Sequence, residues 1–111
     1  VERGETVAEA AVRELREETG AIPERVYNLS RAESFYLHRL DQVAIVPAFA
    51  ARIHPDVVPT LSGEHDAWRW VPIAGADMVL AWPRAHRAIA DLAVLLRTGD
   101  AGLLEDTLRV V

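Results

Sequence analysis

Neither cysteine nor lysine occurs anywhere in these 111 residues. The first absence removes disulfides, thiolate zinc sites and a cysteine nucleophile. The second removes a phosphate-loop lysine and a Schiff base, so arginine carries all the fixed positive charge. No run of residues is apolar for long enough to span a bilayer, and no signal-peptide core is present, so no membrane partner is expected. A basic excess is missing too: the net charge is −5, which argues against a nucleic-acid groove. Repeats, low-complexity tracts and linkers are also lacking. What remains is one domain over residues 1–111, half apolar and able to form a modest core. The arginine bias and abundant alanine point, by association only, to a bacterial source.

What is present concentrates between Glu5 and Ala21, in ETVAEAAVRELREETGA. Local rules predict a helix there. Thr6-Val7-Ala8-Glu9 has the form of a capping box, and strong helix formers follow. Gly20 stands where a left-handed C-terminal residue is wanted, with Pro23 beyond it. Val7, Ala11 and Leu15 provide an apolar stripe, and Glu9–Arg13 and Arg13–Glu17 are favourable i,i+4 pairs. Glu14, Glu17 and Glu18 fall at i, i+3 and i+4, one narrow stripe at about 100° per residue. Like charges so placed oppose the helix unless a cation sits among them. Hard divalent ions such as Mg²⁺ take carboxylate oxygens. An ordinary charged surface helix would have the same spacing.

The order of residues goes further. Glu5, Arg13, Glu14, Leu15, Glu17, Glu18 and Gly20 match in register the Nudix box, G-x5-E-x7-R-E-U-x-E-E-x-G-U, with Ala21 a small substitute at the last U (a bulky aliphatic position). The chain resembles a Nudix hydrolase that begins inside its own box, because the first glycine would precede Val1. The resemblance implies an α/β fold, an α/β/α sandwich with a mixed sheet, N-terminally truncated here and lacking its first strands. It also implies a divalent cofactor, Mg²⁺ with Mn²⁺ as a substitute. Glu17 and Glu18 would be principal metal ligands and Glu14 a further ligand or the base. Arg13 would orient the carboxylates, and Glu5 would anchor that network. A cytoplasmic enzyme acting on a nucleotide is implied, with a homodimer left open. The physics is coherent: metal bridges an acidic site to an anionic diphosphate, and a nearby carboxylate completes activation of water.

Beyond the box, alternation predicts a strand over 25–32 continued or neighboured by 34–37, and a hydrophobic central strand over 43–53. Pro47 fits the latter only at an edge or bulge. A loop follows over 54–63, a short strand over 67–73, and a helix from Pro83 to about Arg97 with Ile89, Leu92, Ala93 and Leu96 buried. The tail 100–111 reads equally as a short helix or a frayed end.

Glu64, in Ser62-Gly63-Glu64-His65, is a candidate metal ligand or general base by resemblance, or a solvated loop glutamate; His65 more readily packs or caps the loop. Arg31 is a candidate phosphate contact, and Phe35, Tyr36 and Trp68 are candidate base-stacking residues, each also suited to packing. Trp70 and Trp82 share that ambiguity. Arg84, His86 and Arg87 open the last helix, where anions are attracted but a solvated face is equally natural. The distal stretch also resembles the dATP and dihydroneopterin triphosphate pyrophosphohydrolases. Dinucleoside polyphosphates, nucleoside diphosphate sugars and a non-catalytic nucleotide-binding role remain alternatives.

Overall fold

The computed structural model describes residues 1–111, apart from the side chain of Asp77. Helix α1 spans Val7–Thr19. A long antiparallel hairpin follows, β1 (Arg25–Leu37) and β2 (Gln42–Arg52). After an extended loop comes a 3-10 segment, Ile73–Met78, then α2 (Pro83–Leu95) and a second 3-10 turn leading into α3 (Glu105–Leu108). The class is α/β. Among the described residues the sheet has two strands, so β2 lies at an edge instead of the centre, with Val43 and Ile45 exposed.

The hairpin runs in register from Arg25↔Arg52 to Leu37↔Gln42, with one irregularity between Asn28 and Ala32. There Ser30 adopts a positive φ of 56°, and its N–H donates to Asn28 Oδ1 at 2.8 Å. Pro47 pairs with Ala32 at the end of this bulge. That placement tolerates a residue with no N–H to give the ladder.

The far edge of β1 is covered by the C-terminal tail. Val110 N–H donates to Val26 O at 2.8 Å, and Tyr27 bridges to Arg109. The tail is therefore docked, with a short helix inside it. Tyr27 is fully buried against Ala101 and Leu108, with Leu95 and Leu96 packed around, and its hydroxyl donates to Glu105. Burying a large aromatic ring removes much apolar area from water, and its polar end finds a partner.

Helix α2 crosses β1 through paired charges. Arg31 donates to Asp91 through two guanidinium nitrogens, and Arg87 makes a bidentate pair with Glu33 at 2.7 and 2.9 Å. The expected apolar face of α2 is half-buried at Ile89, Leu92, Ala93 and Leu96, and none of these is fully enclosed. Two further sequence expectations fail. Residues 67–72 form no strand, because alternation alone provides no ladder and the segment has no paired neighbour. On α1 the buried residue is Ala10, while Val7 is 45% exposed.

Candidate functional site

The sequence signals at both ends of α1 are realised. Thr6 Oγ1 accepts from Glu9 N–H at 3.1 Å, and Glu9 Oε2 accepts from Thr6 N–H at 2.8 Å, closing the capping box. This use of Glu9 explains why the expected Glu9–Arg13 pair is not made. At the other end Gly20 exits at φ 73°, and its N–H reaches back to Arg16 O.

That exit brings a distant loop onto the helix. The last carbonyls of a helix lack intrahelical donors. Here Thr60 N–H donates to Thr19 O at 2.7 Å, and Ser62 N–H donates to Glu18 O at 3.3 Å. Gly20 permits the approach: a Cβ there would lie 3.4 Å from the Thr60 Cβ. His65 N–H then donates to Ser62 O, closing a turn that presents Glu64. His65 takes part through this backbone bond.

The product is a cleft of about 530 Å³ lined by Arg13, Glu14, Glu17, Glu18, Ser62, Gly63 and Glu64. Glu14, Glu17 and Glu18 of the helix and Glu64 of the loop line one space. Arg13 is the cation within it. Its Nε donates to Glu5 Oε1 at 2.8 Å and its Nη2 to Glu5 Oε2 at 3.2 Å, while Nη1 donates to Glu17. Hydrogen bonding to Arg13 and to the Glu2 amide holds the Glu5 carboxyl below its usual range. The same bonds, to Glu5 and then Glu17, push the Arg13 guanidinium up. Glu5 thus anchors Arg13, and Arg13 steers Glu17.

Among the described residues, no three acidic or histidine side chains converge closely enough to hold an ion as they stand. Repulsion among like charges and the Arg13–Glu17 bond account for that. The donor set nevertheless suits a hard divalent cation, since Glu14, Glu17, Glu18 and Glu64 offer only carboxylate oxygens. Glu14 and Glu17 are exposed, and of the two Glu17 is the one bonded to Arg13. Ser62 Oγ is buried at the same cleft with no hydrogen-bond partner, a state that costs about 1–3 kcal/mol. Nothing in the sequence marked this hydroxyl, because its orphaned state arises only when the loop meets the helix.

Three other expected site residues are not brought to this cleft. Arg31 is occupied by Asp91 and Glu33, so its charge is already matched. Phe35 lies under the Arg84 guanidinium, which sits 5.2 Å from its ring and 5.1 Å from that of Trp82. Tyr36 donates to Asp41 at 2.8 Å, closing the hairpin turn. Trp68 fares differently. With Trp70, edge to face at 6.3 Å, it lines an apolar hollow of about 310 Å³ together with Leu15, Ile53 and Leu61. Leu15 follows Glu14 on α1 and Leu61 precedes Ser62 in the loop, so the hollow and the cleft draw on the same two segments. Arg84 and Arg87 at the start of α2 are engaged with rings and with Glu33.

Comparison with known proteins agrees with the geometry. The sequence model of the NUDIX domain matches residues 1–92. The chain belongs to the NUDIX domain family. It is also similar to a protein of Myxococcus xanthus called "Octanoyltransferase", 38% identical over 79 residues. That match takes in 68% of this chain but only 22% of the relative, so the chain spans about a fifth of its length. No solved structure matches. No helix among the described residues is long and apolar enough to cross a membrane.

Proposed function

We propose that this NUDIX chain cleaves the phosphoanhydride of a nucleoside triphosphate, dATP-like or carrying a pteridine, to monophosphate and pyrophosphate. The observation that carries this reading is the docking of the Glu64 loop on α1, which assembles four carboxylates around one cleft. A structural acidic helix has no need of a fourth carboxylate from a remote loop.

In this reading Glu14, Glu18 and Glu64 would hold the divalent cation, and Glu17 would be a further ligand if released from Arg13. When bound, that ion neutralises the diphosphate and lowers the pKa of its water. Glu14 or Glu64 takes the water's proton, and Arg13 stays tied to Glu5 beside the helix face. Displacement at phosphorus then depends mainly on positioning and charge stabilisation. The Trp68–Trp70 hollow, built from the same helix and loop, supports a planar ring on the retained nucleoside. The relative's name does not carry over as chemistry, because the match takes in only 22% of that protein.

The test is incubation with Mg²⁺ and a panel of nucleoside triphosphates, dinucleoside polyphosphates and nucleoside diphosphate sugars, with assay of pyrophosphate and phosphate. Pyrophosphate from triphosphates alone is the expected result. Cleavage confined to the other substrates would move the substrate class, and tight binding without turnover would make this a nucleotide-binding module.

A further inference from the structure

Ser62 stands apart from the other polar side chains as the single buried side-chain donor or acceptor without a partner among the described residues. Its backbone is fixed on both sides, the N–H bonded to Glu18 O and the carbonyl accepting from His65 N–H. Only χ1 is left free, with three staggered wells. Every acidic side chain around the cleft is an acceptor when ionised, whereas a hydroxyl can also donate. If the loop needed only to pack here, alanine would fill the position and leave no orphaned oxygen. A hydroxyl kept unpaired at the wall of an acidic cleft is available for something that enters it.

We infer that Ser62 is a ligand-binding residue: its hydroxyl turns about χ1 into the cleft and donates to a non-bridging phosphate oxygen. This rests on the reading above only in placing a phosphate group in this cleft. The hydroxyl adds a neutral donor where the side chains are otherwise carboxylates and one arginine already committed to Glu5 and Glu17. It therefore binds phosphate without competing for the cation. The bond is to a charged acceptor, the stronger kind.

The experiment is calorimetric titration of the intact protein with inorganic pyrophosphate in excess Mg²⁺, for wild type, Ser62→Ala and Ser62→Thr. Ser62→Ala is expected to weaken binding about tenfold or more. Ser62→Thr keeps the hydroxyl and should stay within a few-fold of wild type. Thermal stability of Ser62→Ala should be unchanged or raised, since a buried orphan is removed. Equal affinity in Ser62→Ala overturns the inference, and a drop in melting temperature with equal affinity would make the hydroxyl structural. Absence of pyrophosphate binding by the wild type also overturns it. If pyrophosphate binding depends on Ser62 but no nucleotide is cleaved, the hydrolytic reading fails while this inference stands.

Discussion

Where α2 packs on β1, Arg31 and Arg87 face Glu33 and Asp91, two cations against two anions. At the cleft Arg13 faces Glu5, Glu14, Glu17, Glu18 and Glu64, and its hydrogen bonds are divided between Glu5 and Glu17. Both clusters are arginine–carboxylate networks on half-exposed surface, so type of residue does not separate them. Balance does. The first cluster is satisfied internally, its carboxyls held low by their arginines, and it ties a helix to a sheet. The second leaves anionic charge unmatched, which is destabilising until a cation arrives from outside.

The largest test of that contrast is a pair of matched substitutions. Glu18→Gln keeps volume and removes one charge from the unmatched set, and turnover with Mg²⁺ should fall by about 100-fold or more. Glu33→Gln removes the same charge from the matched set and should leave turnover at its wild-type value while lowering the melting temperature. Steady-state kinetics and thermal melts on both variants decide the matter. Equal loss of activity in the two would erase the distinction between the clusters.

How much of this was legible in the sequence follows from the range of each interaction. The α1 helix was readable to its ends, because Thr6, Glu9 and Gly20 act on backbone within a turn of themselves. Glu14, Glu17 and Glu18 were placed by helical spacing alone. Glu64 came through a resemblance, since bonds from Thr60 and Ser62 to the end of α1 join segments far apart in the chain. The partners of Arg31, Phe35 and Tyr36 were hidden for the same reason. Each has suitable chemistry, and each is consumed by a partner, Asp91, Arg84 or Asp41, that no local pattern announces. The alternation at 67–72 misled because a strand exists only with a neighbour to pair with. The tail could not be read because its fate depends on the free edge of β1.

A smaller effect is expected where the helix hands over to the loop. Gly20 holds φ at +73°, a conformation that side chains rarely adopt, while an added Cβ would only come into contact with Thr60. Gly20→Ala should cost about 1–2 kcal/mol in urea unfolding. It should also raise the Mg²⁺ concentration needed for half-maximal turnover, because the loop carrying Ser62 and Glu64 is bonded at that point. Thr6→Ala at the opposite end costs a similar amount, about 1 kcal/mol, yet should leave the Mg²⁺ requirement unchanged. Parallel shifts in that requirement for both variants would show that α1 responds as one rigid body, with no special role for its C-terminal contact.

The smallest effect concerns acid. Arg87 holds the Glu33 carboxyl below its usual 4.5, and Arg31 holds Asp91 below its usual 3.8. Their folded values lie under their unfolded ones. The stability they contribute is therefore complete at pH above the unfolded values and is lost as pH falls through the folded ones. Melting temperature should then be level near neutrality and decline below about pH 4.5, near the unfolded carboxylate range. Replacing both groups, as Glu33→Gln with Asp91→Asn, should flatten part of that decline while lowering the neutral plateau. The pairs are partly exposed, so 1 M salt should shrink the difference between variant and wild type. Glu5, held low by Arg13, titrates in the same window and survives in the double variant, so some acid sensitivity must remain. An acid decline identical in wild type and double variant would mean that the matched lattice contributes nothing to folding, and that charge balance there is incidental.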